Sequence, residues 1–431
     1  MKDLEKEIDR YVEKNEKRLI DMCVRLIDIK SVTGDEYDIQ LEVFNVMKEM
    51  GLEIDFWEPD DVEMRASKLF SETGESMKNR PVVVGIRRGK GGGKSLMVNG
   101  HVDTVNEFPI EKWNTDPFKA FISDGKIFGR GASDMKSGLA MSLFALNAIT
   151  EMGIGLDGDV YIVSVPAEEN GGNGTVAALV RGYHHADAAI FPEPTSNHIQ
   201  PAHRGAAFWR IHINGKAAHG GSKYKGISAV EKGFLVAQKL SELEKWRNDN
   251  ICSKHPLYKD YPLSAPVTLG IFKGGQFTSG VPETCMLEGC IEFVPGEKSE
   301  DVRKMFEQAV LSVCDEDSWM AQHPPNIEWF GLLYEPAETD ESNCFVQTAI
   351  ECFRDITNRE PVVDGFEAGT DMRLVANEFG IPGFMFGPGD IFSAHAPNEF
   401  VNIEQLKEAT KILMLLMIRW CNNERERRKN E

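Results

Sequence analysis

Several features that would assign this chain to a particular class of protein are missing from its sequence. None of its eight cysteines forms a C-x-x-C pair, so a structural zinc knuckle is not expected. No apolar run is long enough to span a bilayer, and the N-terminus is charged without an apolar signal core. Basic residues number 48 against 68 acidic ones, a formal net charge of −20. These absences argue against nucleic-acid-binding, membrane or exported proteins and predict a cytoplasmic protein with reduced thiols.

A phosphate-binding loop is also missing, although one segment is similar to one. Residues 89–95 read Gly-Lys-Gly-Gly-Gly-Lys-Ser, but the pattern G-x-x-x-x-G-K-[ST] requires glycine where the chain has Arg88. The segment also leads into a predicted strand rather than a helix, so no helix N-terminus is available to hold an anion. We therefore predict a hairpin-like loop and no nucleotide-dependent function.

The length of 431 residues and the order of the predicted elements indicate two domains. Residues 1–201 and 336–431 alternate between strand and helix patterns, starting with a helix over residues 2–29. This alternation predicts an α/β domain with a mostly parallel sheet and helices on both faces. Residues 202–335 have a β-α-β-β-α-β order with half-exposed strands, which predicts a smaller α+β domain of the ferredoxin-like type. The simplest organisation is one domain interrupted by an inserted second domain.

An adjacent pair of glutamates, Glu168 and Glu169, follows an apolar run over residues 160–165 that is predicted to be a buried strand. Because successive side chains at the end of a strand point to opposite sides, the two carboxylates face different surroundings. Neighbouring carboxylates in different surroundings can take different roles, one as a metal ligand and one as a proton carrier. The pair therefore predicts a catalytic site, provided that other segments supply metal ligands.

Other side chains of the types that bind metals lie at corresponding places in the same predicted sheet. They are His101 and Asp103 after the strand at residues 96–99, Asp134 in a glycine-rich loop before a helix, Glu193 after the strand at residues 188–191, and His395 after a late strand. Because sites in open α/β sheets form at the carboxyl ends of the strands, we expect these side chains to converge. Imidazole and carboxylate ligands suit Zn²⁺, with Co²⁺ or Mn²⁺ as substitutes.

The amino-acid sequences of these segments closely resemble those of a known family. The segments are Asn-Gly-His-Val-Asp-Thr-Val at 99–105, Gly-Arg-Gly-Ala-Ser-Asp-Met-Lys-Ser-Gly at 129–138, Pro-Ala-Glu-Glu-Asn-Gly-Gly at 166–172 and Pro-Glu-Pro-Thr at 192–195. They are similar to the co-catalytic zinc amidohydrolases, which include acetylornithine deacetylase, succinyl-diaminopimelate desuccinylase, aminoacylase and glutamate-releasing carboxypeptidases. The resemblance covers nearly the whole chain, in the right order, and includes the inserted domain.

The resemblance implies a centre of two zinc ions that are bridged by Asp134. One ion would also bind His101 and Glu193, and the other would also bind Glu169 and His395. A cis peptide bond after the bridging aspartate is implied as well. These five residues are therefore the predicted metal ligands.

The same resemblance implies catalytic roles for three further residues. Glu168 would be the general base, and Asp103 would orient His101 and select its tautomer. His219, in the inserted domain, would stabilise the tetrahedral oxyanion, often from the partner subunit; the alternative is a histidine in a surface turn. The inserted domain is accordingly expected to act as a lid and dimerisation domain in a homodimer.

Two segments are predicted to contact the substrate. Ser279 stands where many relatives have an asparagine that helps to bind substrate, so a shorter contact is expected there. The segment 369–373 resembles a late substrate-contacting loop that contributes Gly369 and Thr370. Arg373 in this loop would either bind a substrate carboxylate or form a structural ion pair.

The reaction implied by the resemblance is metal-dependent hydrolysis of an amide bond in a small N-acyl amino acid or related amine. A dipeptidase or carboxypeptidase on the same site is one alternative, and a catalytically silent metal-binding scaffold is the other. The acyl group, whether acetyl, formyl, succinyl or aminoacyl, does not follow from the sequence, because the pocket walls lie in loops.

Overall fold

A computed structural model describes residues 2–423, which divide into two units. Of the described residues, unit 1 contains 2–201, Glu338–Phe366 and 370–423, and unit 2 contains Ala202–Ala337 and Glu367–Gly369. Residues 424–431, the end of the predicted first domain, lie outside the described residues. Within the described part of the chain, no helix is both long and apolar enough to cross a membrane.

Residues 2–203 contain both helices and strands. The helices are α1 (Lys2–Lys14), α2 (Glu16–Ile27), α3 (Tyr37–Glu49), α4 (Asp61–Arg65), α5 (Lys136–Glu151) and α6 (Asn173–Val180). The strands are β1 (Glu53–Trp57), β2 (Val82–Arg87), β3 (Leu96–His101), β4 (Phe121–Ser123), β5 (Lys126–Phe128), β6 (Val160–Val165), β7 (Ala188–Phe191) and β8 (Ile199–His203). The helix predicted over residues 2–29 is two helices, because the Asn15 side chain donates to the Tyr11 carbonyl (2.8 Å) and Asn15 itself is not helical.

The middle of the chain contributes strands β9 (Gly205–Asn214), β10 (Ala218–His219), β11 (Val267–Gly274), β12 (Gly280–Val281), β13 (Thr284–Phe293) and β14 (Asn326–Tyr334). Its helices are α7 (Ala229–Asn250), α8 (Ser299–Leu311), α9 (Val313–Glu316) and α10 (Ser318–Gln322). The last part of the chain contributes β15 (Ala337–Glu338), α11 (Cys344–Thr357), β16 (Val363–Phe366), α12 (Met372–Phe379), β17 (Gly383–Met385), β18 (Phe400–Asn402) and α13 (Ile403–Cys421).

A nine-stranded sheet forms the centre of unit 1, in the order β1-β2-β6-β3-β7-β17-β8-β15, with β16 also paired to β8. The four middle strands β6, β3, β7 and β17 run parallel, whereas β1 and β2 are antiparallel additions at one side. The predicted α/β class with a mostly parallel sheet is confirmed. This strand order places the carboxyl ends of β6, β3 and β7 side by side at one edge of the sheet.

The glycine-rich segment at residues 89–95 does not form the predicted hairpin. Strand β6 lies between β2 and β3, so the segment connects two strands that do not pair. Its glycines allow close packing, because a side chain at Gly93 would lie 1.9 Å from the Cys421 carbonyl oxygen. The hairpin prediction is wrong because the length and composition of a loop do not reveal that a strand from later in the chain lies between the two strands that the loop connects.

Helix α5 is almost completely buried, which matches its mostly apolar composition. It packs against α13 and α2, and its first residues follow the glycine-rich loop that carries Asp134. Close approach is possible at Gly138, where an added Cβ would lie 1.9 Å from the Pro192 carbonyl oxygen. This contact brings the beginning of α5 against the segment that follows β7.

Unit 2 contains a four-stranded antiparallel sheet in the order β11-β13-β9-β14. Strand β9 alternates between buried and more exposed residues, as expected for a sheet with one covered face. The buried face packs against the helices, for example through Trp209 and Phe306, whose rings are 5.1 Å apart. The predicted α+β architecture is confirmed, and the strand order within the β-α-β-β-α-β succession is that of a ferredoxin-like unit.

Candidate active site

Three parallel strands place metal-type side chains at one edge of the sheet in unit 1. His101 is the last residue of β3, Glu193 follows β7 by two residues, and Glu169 lies in the turn after β6. Asp134 enters from the loop before α5, and His395 enters from the loop between β17 and β18. The Asp134–Met135 peptide bond is cis, as the family resemblance implies.

Asp134 lies between two histidines and directs one carboxylate oxygen towards each. Its Oδ1 is 3.1 Å from His101 Nε2, and its Oδ2 is 3.3 Å from His395 Nε2. Glu193 Oε2 is 3.9 Å from His101 Nε2, and Glu169 Oε1 is 3.0 Å from His395 Nε2. We call His101 and Glu193 the inner half of the centre and Glu169 and His395 the outer half, with Asp134 shared.

These donors and their spacing fit divalent metal ions. The ligand-type atoms of His101, Asp134 and Glu169 all lie within 4.8 Å of one another. Two ligands at about 2.0 Å from a tetrahedral zinc ion stand about 3.3 Å apart, close to both histidine–aspartate distances. Because each Asp134 oxygen faces a different histidine, this carboxylate is suited to bridge two ions.

The tautomer of His101 is set by its other ring nitrogen. Nδ1 lies 2.9 Å from the backbone carbonyl oxygen of Asp103 and 3.6 Å from that residue's carboxylate Oδ1. The Nδ1–H therefore donates to the carbonyl, which leaves Nε2, 3.1 Å from Asp134 Oδ1, as the nitrogen that would bind a metal ion. The Asp103 carboxylate accepts instead from the backbone N–H groups of Glu168 and Glu169.

The ionisable groups of the site have perturbed pKa values. Burial raises the pKa of Glu193 to about 8, and nearby carboxylates add to this effect against the opposing charge of His101. Burial alone would lower the pKa of His395, but its bonds to Asp134 and Glu169 raise that pKa to about 11. Carboxylates outnumber the cationic groups here, and a bound divalent cation would relieve their mutual repulsion.

Glu168 is half-buried in the turn that follows β6, next to Ala167 with its positive φ of 63°. Burial raises the pKa of the Glu168 carboxyl well above its usual range; His101 opposes this shift, and the charges of Asp371 and Glu193 add to it. A raised pKa makes a carboxyl group more basic, which favours its acceptance of a proton. This property suits the role that the sequence predicts for Glu168.

Two predicted site residues lie together in unit 2. His219, on β10, pairs in register with Gly280 on β12, and the Gly220 N–H donates to the Ser279 carbonyl (2.7 Å). His219 and Ser279 are both exposed, and the His219 ring accepts the Gly221 N–H (3.1 Å). Folding thus brings these residues, far apart in sequence, onto one small ribbon.

The late loop is divided between the two units. Gly369 belongs to unit 2 and lies close against the Tyr334 side chain. Thr370 and Arg373 are buried in unit 1, where Arg373 is 6% exposed. The Arg373 guanidinium donates to the carbonyl oxygens of Gly171 (3.0 Å) and Thr370 (3.1 Å). Both terminal nitrogens of this guanidinium therefore already donate to protein groups.

Sequence patterns do not single out two buried carboxyl groups of the site, Asp371 and Glu399. Asp371 accepts from the Arg373 guanidinium (3.3 Å), and its charge acts on Glu168. Glu399 accepts the backbone N–H groups of Ser133 (2.8 Å) and Asp134 (3.0 Å). Asp371 is close in sequence to Arg373, and Glu399 is close to His395. This closeness is the signal by which sequence reasoning could have identified them.

The sequence of this chain is similar to the sequences of known proteins. Residues 97–419 match the sequence model described as Peptidase family M20/M25/M40. The chain is 30% identical to an N-formyl-4-amino-5-aminomethyl-2-methylpyrimidine deformylase from Bacillus subtilis, over 97% of this chain and 98% of that protein. It is 26% identical to a probable succinyl-diaminopimelate desuccinylase from Staphylococcus epidermidis, over 72% of this chain and 79% of that protein.

The fold is also similar to that of a dinuclear metal-binding peptidase from Bacillus subtilis. The TM-score is 0.64 at 17% identity, and the match covers 95% of this chain and 99% of the other. The chain belongs to peptidase family M20/M25/M40, and it is a metal-dependent hydrolase of amide bonds. The family resemblance predicted from the sequence is confirmed.

Proposed function

We propose that the protein is a two-zinc deacylase that removes a formyl group from the amine of a small aminopyrimidine-type compound. The proposal rests above all on the cluster in which Asp134 faces both His101 and His395, with Glu168 close enough to interact electrostatically with His101 and Glu193. The five ligands are the predicted ones, His101, Asp134, Glu169, Glu193 and His395. Co²⁺ or Mn²⁺ would be acceptable substitutes for zinc in such a donor set.

The residues of the site divide the work of amide hydrolysis. When bound, two divalent cations supply Lewis acidity to the amide carbonyl and to a water molecule. Glu168 takes a proton from the attacking water and delivers it to the amine nitrogen as the C–N bond breaks. The products are a carboxylic acid, formate in the case of a formyl substrate, and the free amine.

Two observations support a substrate without a carboxylate. The deformylase relative, at 30% identity over 97% of the chain, is named for an aminopyrimidine that carries an N-formyl group. The guanidinium of Arg373, which the family resemblance would offer to a substrate carboxylate, donates to backbone carbonyls and Asp371 instead. The lack of an open cationic fork from this loop favours a neutral or cationic amine over an anionic one.

The acyl preference can be measured directly. The zinc-loaded enzyme would be assayed with the N-formyl, N-acetyl and N-succinyl forms of one aminomethylpyrimidine, and with N-formyl and N-acetyl amino acids and a dipeptide. We expect the N-formyl pyrimidine to have a kcat/KM at least about tenfold above every other substrate. Preference for the succinyl compound or the dipeptide would instead assign a desuccinylase or peptidase.

The role of Glu168 is tested by Glu168→Gln, which removes the proton acceptor and preserves size. We expect kcat to fall by about 10²–10⁴-fold, with metal content per chain unchanged. The matched control is Glu107→Gln, which makes the same change at a glutamate of the same unit that pairs with Lys30 (3.2 Å). Full activity of Glu168→Gln would remove Glu168 from the mechanism.

We further propose a homodimer in which His219 of unit 2 acts on the acyl oxygen in the partner subunit. The exposed position of His219 supports this proposal. Mixing inactive His219→Ala and Glu168→Gln proteins should restore about a quarter of wild-type activity through hybrid dimers, if subunits exchange at random. A fully active monomer by light scattering would contradict the proposal.

A further inference from the structure

The turn at residues 167–172, which carries the glutamate pair, is anchored at its first end by a buried carboxylate. Asp103 is 0% exposed. Its Oδ1 accepts the N–H of Glu168 (3.1 Å), and its Oδ2 accepts the N–H of Glu169 (3.2 Å). Hydrogen bonds to an ionised carboxylate are stronger than those between neutral groups. One anion thus holds the backbone of both functional glutamates.

The anchoring carboxylate is itself held by a third donor. The Thr33 hydroxyl donates to Asp103 Oδ2 (3.0 Å). The loop that carries Thr33 is secured by Glu36, whose Oε1 accepts the Gly34 N–H (3.0 Å) and the guanidinium of Arg80 (2.6 Å). Three donors converge on Asp103, and a buried ion pair stabilises the loop behind them.

The other end of the same turn is held by an arginine. Arg373 Nη2 donates to the Gly171 carbonyl (3.0 Å), which also accepts the Ser71 hydroxyl (2.8 Å). The turn lies so close to this region that a Cβ on Gly172 would stand 2.2 Å from Asp371 Oδ1. The positive φ of 78° at Gly172 likewise favours glycine there. Both ends of the turn are therefore fixed by buried side chains.

We propose that Asp103 and Arg373 are positioning residues that hold Glu168 in place for proton transfer. Asp103 acts through the amides of Glu168 and Glu169, and Arg373 acts through the Gly171 carbonyl. The inference rests on the proposed role of Glu168 as the base. It differs from the roles implied by family resemblance, in which the Asp103 carboxylate orients His101 and Arg373 binds a substrate carboxylate.

The geometry favours these new roles over the implied ones. His101 donates to the Asp103 backbone carbonyl, a bond that survives substitution of the Asp103 side chain. Arg373 is buried and engaged with the turn, so its removal should affect substrates with and without a carboxylate alike. Small displacements of a catalytic group lower the rate steeply, by about 10²-fold for 1 Å.

Steady-state kinetics separates the two sets of roles. We would compare Asp103→Asn, Arg373→Met and Thr33→Val, with Thr33→Ser as the matched control that keeps the hydroxyl. For an N-formyl pyrimidine and an N-formyl amino acid we expect equal losses of kcat, about 10- to 100-fold for Asp103→Asn and Arg373→Met. The Thr33→Val loss should be smaller, KM should change less than about threefold, and Thr33→Ser should resemble wild type.

Two results would overturn the inference. If Arg373→Met raised KM only for the carboxylate-bearing substrate, Arg373 would be a substrate ligand. Loss of one bound metal per chain in Asp103→Asn would show that its carboxylate acts through His101. The pH profile of kcat gives an additional readout, because displacement of Glu168 should shift the limb that reports its protonation in the variants.

Amide hydrogen exchange tests the inference without relying on catalysis. The peptide that spans residues 165–174 should exchange at least about tenfold faster in Asp103→Asn and Arg373→Met than in wild type, while peptides from unit 2 should not change. Unchanged exchange in both variants would refute the inference. If wild type hydrolyses nothing in the panel but the exchange result holds, the proposed substrate fails and the positioning roles stand.

Discussion

The two halves of the metal centre are built in different ways. In the inner half, His101 and Glu193 follow adjacent parallel strands and are 1% and 5% exposed. In the outer half, His395 lies on a loop with a positive φ of 58°, and its side chain is 52% exposed. The sheet therefore positions the inner half and Glu169 of the outer half, whereas His395 depends on how a distal loop is attached.

That loop is attached through the segment that carries Asp134. The Ser133 hydroxyl donates to the Asp390 carbonyl (3.0 Å) and accepts the Asp390 N–H (2.8 Å). Glu399 accepts the N–H groups of Ser133 and Asp134 and is paired with the buried Arg130 (2.7 Å). The shared ligand and the outer loop are thus one hydrogen-bonded assembly, so the two halves should differ in how readily they release metal.

The largest expected effect comes from removing one histidine from each half. His101→Ala and His395→Ala should both lower kcat/KM by more than about 10²-fold, because each removes a ligand directly. His395→Ala should nevertheless retain about one metal ion per chain in the inner half, whereas His101→Ala should lose inner-half metal. Elemental analysis of the purified variants checks this. Equal metal loss in both variants would show that the two halves do not differ in how they retain metal.

Stepwise chelation is expected to distinguish the halves in the unmodified enzyme. Solvent reaches the outer half through the exposed His395, so a chelator should remove its ion first and the inner ion at least about tenfold more slowly. Activity should disappear with the first ion, because the reaction needs both. Release of both ions in a single phase would mean that exposure of His395 does not control metal exchange.

The pH dependence of stability should also separate the halves in metal-free protein. Glu193 has a pKa raised to about 8, so the folded state keeps a proton that the unfolded chain loses above about pH 4.5, and stability falls as pH rises to 8. His395 has a pKa raised to about 11, so its contribution is complete below about pH 6.5 and is lost as pH rises towards 11.

We therefore expect the free energy of unfolding of metal-free protein to fall by more than about 1 kcal/mol between pH 5 and pH 8. Urea unfolding at several pH values measures this fall. Glu193→Gln should reduce the fall in stability between about pH 4.5 and pH 8, and His395→Ala should reduce the fall between about pH 6.5 and pH 11. A stability that rises across the range would contradict both assignments.

The smallest expected effect concerns the attachment of the outer loop. Ser133→Ala removes two hydrogen bonds to Asp390, worth about 1 kcal/mol each. Only part of this free energy acts on the metal ligands, so outer-half metal binding should weaken by less than about tenfold. Ser142→Ala is the matched control, since Ser142 is also buried but bonds within α5. Zinc titration of the two variants provides the measurement. Weaker binding in the inner half would show that the halves are not independent.

Much of the inner half is predictable from local patterns. An apolar run that ends in His101 and another that precedes Glu193 predict strand ends, and parallel neighbours bring such ends together. The outer half is harder to predict, because His395 is carried on an irregular loop with no periodic pattern. The pattern places His395 only after a late strand, and its pairing with Glu169 around one ion is implied by the family resemblance. The distance of 3.0 Å to Glu169 is a property of the folded chain.

The sequence by itself determined the α/β class, the ferredoxin-like insertion and the residue types available for a metal centre, because these depend on periodicity and short motifs. Only the tertiary structure decided that the Asp103 carboxylate faces the amides of Glu168 and Glu169, and that Arg373 supports the same turn. Such partners are separated by 65 or more positions, and hydrogen-bond direction depends on packing. A motif specifies which side chains are present, and the packed backbone decides which atoms they meet.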